Sequence, residues 1–172
     1  MKNLLTIVAP LLLVSMILVN NGRTSEIATT TSQPRAAGCL IPTPLGIVVG
    51  INRVLGTIQL PIGKRDEDES PQQTAGRETW EETGIEVEVG PLLLKLEKEQ
   101  VYLFMCTPKS AVTDYAKLRP KDNFEVSRVV VINPHTMRNH DGTIISNRWR
   151  FPETRVFLRM LFPGSESEVI MK

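Results

Sequence analysis

Two cysteines in 172 residues cannot staple a disulfide-rich scaffold, so a packed core must hold this chain. Twelve prolines beside 23% charged residues exclude a collagen-like or low-complexity protein. No charge sign dominates: twenty Lys and Arg against nineteen Asp and Glu leave +1, which offers no global pull toward nucleic acid or an anionic membrane. No internal repeat is visible, and the length suits one domain rather than two. What is present is an apolar fraction of 41%, which excludes disorder.

The near-neutral sum hides an uneven distribution. Between Lys64 and Glu88 stand nine acids and only three bases, a local charge of −6 that leaves the rest of the chain at +7. Such a segment reads either as a solvated acidic loop or as a cation site beside a surface suited to anions. Spacing has to decide between them.

Leu4 to Val19 is an uncharged run of 16 residues, preceded by Lys2 and followed by Arg23. It is longer than an ordinary signal-peptide apolar region of ~7–15 residues and shorter than the ~20 of a spanning helix. No clean small-x-small cleavage site follows it. Residues 1–22 are therefore expected to be a signal peptide or membrane anchor, with the domain exported or anchored outside the cytosol. The alternatives are a buried core helix, or a cytoplasmic protein whose leader is never made. Residues 23–35, rich in Ser and Thr and containing Pro34, read as a polar linker. Residues 36–172 then make one domain.

Within that domain short β-rich runs dominate: Gly38 to Ile41, Leu45 to Ile51, Thr57 to Leu60, Ile85 to Val89, Leu92 to Leu96, Val101 to Cys106 and Arg128 to Ile132. Pro42-Thr43-Pro44 cannot belong to a central strand. Gly63 is expected to begin an acidic loop. Helices are expected over Pro71 to Thr83 and about Pro152 to Leu161, giving an α+β sheet sandwiched by helices. The first helix has local signals at both ends. Ser70 caps it, Pro71 presets the first turn, Gln73 can complete a capping box, and Gly84 suits a left-handed stop.

Helix geometry, with Ala75 at 0°, puts Glu81 at about 240°, Glu78 at about 300° and Glu82 at about 340°. Three carboxylates share one face. Like charges at i,i+3 and i,i+4 destabilise a helix by ~0.2–0.5 kcal/mol per pair, and these acids lie in the half where the helix dipole is already negative. No Lys stands four residues after any of them. A hard dication such as Mg²⁺ is a natural remedy, because it binds carboxylates while keeping waters and substrate phosphate oxygens. Arg77 can brace the cluster. On the helix alone, a solvated acidic face paired with Arg77 and stray lysines remains open.

Gly63, five residues, Glu69, seven residues and Arg77-Glu78-Thr79-Trp80-Glu81-Glu82-Thr83-Gly84-Ile85 resemble the Nudix box at every polar and glycine position. Only Thr79 departs, standing where an aliphatic residue is usual, and its methyl can still pack. The resemblance implies a Nudix-type α/β/α sandwich with a mixed sheet, preceded by the apolar leader. It also implies Mg²⁺- or Mn²⁺-dependent hydrolysis of a nucleoside diphosphate linked to another moiety. Carried over by position, Glu78, Glu81 and Glu82 would be metal ligands, Gly63 would offer its carbonyl near the metal, and Arg77 would orient Glu78. Glu69 and Gly84 would support the motif. A catalytically silent, nucleotide-binding sensor domain is the alternative.

Outside the box the signals are weaker. Glu125 is a candidate auxiliary base or ligand, set against an ordinary surface Glu at a strand entrance. Asp141 reads as a turn residue. Trp149, Tyr102, Phe151 and Arg150 are either core or a grip on base and phosphate. Lys64 and Arg65 are either phosphate contacts or a solvated loop. His135 and His140 lack metal-ligand spacing and carry no role. Cys39 and Cys106 are expected as two buried thiols, with a bridge permitted if the domain is exported.

Overall fold

The computed structural model describes residues 33–122 and 124–162. The leader or anchor expected over residues 1–22, and the linker as far as residue 32, lie outside the described residues. The described chain runs β1 (Ala36–Leu40), β2 (Pro42–Thr43), β3 (Gly46–Asn52), β4 (Ile58–Gln59), β5 (Ile62–Lys64), α1 (Pro71–Thr83), β6 (Val87–Leu96) and β7 (Val101–Pro108). A 3-10 turn (Tyr115–Lys117), β8 (Val126–Ile132) and α2 (Pro152–Leu161) complete it. No helix among the described residues is long and apolar enough to cross a membrane.

The strands form two sheets. One has the order β5-β1-β7-β6, and in the other β3 pairs with β2, β4 and β8. The β1–β7 pair is parallel and the remaining pairs are antiparallel, so the sheet structure is mixed. Alternation along the strands separates two apolar clusters, because successive side chains point to opposite faces. Val48 of β3, Val129 and Val131 of β8, and Phe104 and Cys106 of β7 join Ala75 of α1. Their neighbours Ile47, Val49, Val130, Ile132, Val101 and Leu103 join Leu158 of α2. The sheets are thus covered by α1 on one face and α2 on the other, an α+β fold layered α/β/α.

Two details depart from the sequence expectation and a third, at Pro42, agrees with it. The runs from Ile85 to Val89 and Leu92 to Leu96 form one bent strand, β6, whose register slips between Val89 and Leu94 around Gly90 and Pro91. Pro91 has no N–H, and β6 is an edge strand, where such an interruption is tolerated. Pro42 and Thr43 do pair, but only at the edge, with Ile47 and Gly46. The stretch after Pro61 is not wholly loop: Ile62 to Lys64 adds to β1, with Gly63 opposite Ala37.

A further departure is covalent. Cys39 on β1 and Cys106 on β7 are joined by a disulfide with Cα atoms 5.5 Å apart, which corrects the expectation of two thiols. The parallel register places Cys39 opposite Phe104, so Cys106 lies diagonally across the ladder within bonding reach. The bridge is buried in the cluster that includes Ala75 of α1. It closes a loop with a sequence separation of 67 residues, and a bridge of this kind contributes about 2–4 kcal/mol. Urea denaturation should therefore give a lower stability by that amount after reduction. A Cys39→Ala/Cys106→Ala variant should resemble the reduced protein and ignore reductant; equal midpoints for oxidised and reduced wild type would contradict this.

Candidate active site

Helix α1 is built to present side chains rather than to bury a greasy face. Its start is fixed by reciprocal bonds: Gln73 N–H donates to Ser70 Oγ at 3.2 Å, and Ser70 N–H to Gln73 Oε1 at 2.8 Å. Gly84 ends it at φ 74°, and a Cβ there would also lie 2.7 Å from the Arg119 carbonyl. The buried residues of α1 are Thr74, Ala75, Thr79, Glu82 and Thr83. Thr79 is fully buried and its hydroxyl has no hydrogen-bond partner among the described residues, so it packs as an aliphatic residue would.

Arg77 is the hub. Its Nε and Nη2 donate to the two oxygens of Glu69 at 2.7 and 2.9 Å, a bidentate pair. Its Nη1 donates to Glu78 Oε1 at 2.7 Å and to Glu81 Oε2 at 3.0 Å, and Nη2 also reaches the Lys64 carbonyl at 2.9 Å. Thr74 Oγ1 and the Asp66 N–H add two further donors to Glu69. The Arg77 hydrogen bond is the main reason the Glu69 carboxyl is held down to about 2.

The other acids are pushed the opposite way. Glu78 is raised by burial, with Arg77 opposing, and its side chain is 13% exposed. Glu82 is pushed up to about 8, first by burial and then by the charge of Glu78. Its carboxylate accepts from Gln59 Nε2 at 3.0 Å and from the Ile62 N–H at 3.2 Å. Glu81 is the most open of the three, at 32%. The box glycine has a steric reason: a Cβ on Gly63 would fall on the Glu78 carboxylate.

Glu78, Glu81 and Glu82 line a cavity of about 230 Å³ together with Asp122, Phe124 and Glu125. Glu125 is exposed and immediately precedes β8, and it also belongs to this cavity wall. Among the described residues no three acids, histidines or cysteines are grouped closely enough to hold a metal ion as they stand. Arg77 spans Glu78 and Glu81 instead, leaving Glu78 Oε2 and Glu81 Oε1 without hydrogen-bond partners among the described residues. The donor set is wholly oxygen and anionic, and fits a hard dication of the Mg²⁺ type.

A family model described as the NUDIX domain matches residues 33–153. The chain belongs to the Nudix family. Among solved structures it is similar to an ADP-ribose pyrophosphatase from Streptococcus suis, with 18% identity over 78% of this chain and 95% of that one, at a TM-score of 0.56. A Caenorhabditis elegans Ap4A hydrolase shares 18% identity over 74% of this chain and 96% of its own, at 0.53. A UDP-X diphosphatase shares 16% over 81% and 68%, at 0.56. These likenesses establish the fold. No curated protein matches the sequence.

The Nudix cavity also draws on residues that the box does not contain. Gln59, between Ile58 and Leu60, is 1% exposed and serves Glu82; a polar residue inside an apolar strand was its only signal. Asp122 and Phe124 come from an irregular loop with no pattern to mark them. Trp149 and Phe151 pack against the α2-side cluster and Tyr102 against the other, so they are core. Arg150 reaches Gln59 and Glu125. Arg65 pins the loop by donating to the carbonyls of Asp66, Glu67 and Glu69. Asp141 accepts from the Thr143 N–H in a turn.

The opposed shifts make a pH prediction for the cation-free Nudix domain. Glu82 binds its proton more tightly when folded, so its contribution to stability is present below about 4.5 and lost as pH rises through about 8. Glu69 does the reverse, contributing above about 4.5 and losing that contribution as pH falls toward about 2. In chelator, urea midpoints should fall from about pH 5 to about pH 8, and Glu82→Gln should flatten the slope. A midpoint that climbs over this range would contradict the assignment.

Proposed function

We propose that this Nudix domain hydrolyses a pyrophosphate bond in a nucleoside diphosphate linked to another moiety, using Mg²⁺ or Mn²⁺. The observation that carries the reading is one cavity walled by five acids, Glu78, Glu81, Glu82, Asp122 and Glu125, none of them ion-paired to a lysine among the described residues and only Glu78, Glu81 and Glu125 met by an arginine. Glu78, Glu81 and Glu82 would hold the cation, with the Gly63 carbonyl beside them. Bound there, it would screen the phosphate oxygens and acidify a water molecule.

The remaining work falls to the chain's own groups. Arg77 holds Glu78 and Glu81 toward one another, so the carboxylates meet the substrate as a set. Ile62 N–H and Gln59 stabilise the charged form of Glu82 against its burial. Glu78 or Glu125, both on the cavity wall, would take a proton from an attacking water, a role worth about 10²–10⁴ in rate. The substrate is a small nucleotide derivative; the near-zero net charge gives no footing for nucleic acid.

We further propose that the domain works outside the cytosol, exported or anchored by residues 1–22. A disulfide persists in oxidising compartments, and the Cys39–Cys106 bridge supports that location beside the apolar leader.

A panel of nucleotide sugars, dinucleotides and nucleoside triphosphates should reveal turnover with Mg²⁺ and none in chelator. Glu82→Gln should lower kcat by about 10²-fold or more, the scale of removing one charge-stabilising group. Tight nucleotide binding without phosphate release would favour a silent sensor domain.

A further inference from the structure

Gln59 stands in a web of hydrogen bonds that leaves its amide one orientation. The backbone N–H groups of Val54 and Leu55 donate to Asn52 Oδ1 at 3.0 and 2.9 Å, so Asn52 must present its Nδ2 on the other side. That Nδ2 donates to Gln59 Oε1 at 3.2 Å. Arg150 Nη1 donates to the same oxygen at 3.1 Å, and a guanidinium can only donate. Two donors therefore claim the Gln59 carbonyl. Its NH₂ is left to face Glu82 Oε1, 3.0 Å away. A turned amide would set an oxygen against the buried carboxylate and a nitrogen against two donors.

Arg150 is itself held in place. The pairing of Ile58 with Trp149, and the Arg150 N–H donating to the Ile58 carbonyl at 2.8 Å, fix its backbone beside β4. The same Nη1 also lies 3.5 Å from Glu125 Oε2. One guanidinium nitrogen thus connects two acids of the cavity that are far apart in sequence, Glu82 through Gln59 and Glu125 directly.

We propose that Gln59 is the positioning residue for Glu82, locked by Asn52 and Arg150, and that Arg150 thereby sets the Glu82 and Glu125 sides of the cavity relative to each other. Arg150 acts here as a brace rather than as a grip on substrate phosphate. The proposal rests on Glu82 being a cation ligand, and groups that orient ligands in this way change metal affinity by about 10–100-fold when removed.

The test is calorimetric titration of the full chain with Mn²⁺, with melting curves in chelator confirming that each variant is folded. Gln59→Leu should weaken Mn²⁺ binding by about 10-fold or more. Arg150 is exposed, so Arg150→Ala keeps the test decisive should the buried variant not fold. Removing a positive charge beside an acidic cavity would by itself tighten cation binding. Weaker binding by Arg150→Ala, restored in large part by Arg150→Lys, therefore reports lost positioning. Unchanged affinity in Gln59→Leu, or equal or tighter binding in Arg150→Ala, would overturn the proposal while leaving the metal reading intact. No uptake by the wild type would overturn both.

Discussion

Glutamates at positions 78, 81 and 82 crowd one face of a short helix, and burial makes their charges expensive to keep. Glu82 is nearly sealed from solvent and feels Glu78; Glu78 feels Glu81 in turn. Arg77 answers part of this repulsion by donating to Glu78 and Glu81 at once, while its other edge is committed to Glu69. One arginine cannot neutralise four carboxylates. The residual negative charge is the property on which the proposed chemistry rests, since a dication held there would relieve the repulsion and meet phosphate oxygens together.

The rest of the domain serves to hold that crowding in place. Helix α1 buries threonines, an alanine and a glutamate, which supply little apolar area, so packing alone would anchor it weakly. Its position comes instead from the capping box, the left-handed stop at Gly84, the arginine web to the loop before it, and the β1–β5 ladder that brings Gly63 against Glu78. Beneath it the disulfide ties β1 to β7. The apolar layers carry the stability of the sheets and leave the helix free to carry charge.

Much of this is legible in the sequence. The α1 boundaries follow from Ser70, Pro71, Gln73 and Gly84, each of which acts on its own neighbours, and local rules are those a sequence displays most directly. The spacing of Gly63, Glu69, Arg77 and the three glutamates was equally visible. The partners were not. Gln59 meets Glu82 across 23 positions, Arg150 meets Gln59 across 91, and such pairings are settled by strand order and register. Pro91 reads as a break in the sequence, and only its place at a sheet edge lets β6 resume pairing beyond it. The bridge between Cys39 and Cys106 was hidden for the same reason as Gln59: it depends on a parallel register that local pattern does not encode.

The central claim is that a dication relieves the repulsion among the helix carboxylates. It is tested most directly by the thermal midpoint of the full chain at about pH 8, first in chelator and then with excess Mg²⁺ at matched ionic strength. Binding to the folded state alone must raise the midpoint as the cation concentration rises, while sodium at the same ionic strength must not. A midpoint indifferent to Mg²⁺ and Mn²⁺ would contradict the account.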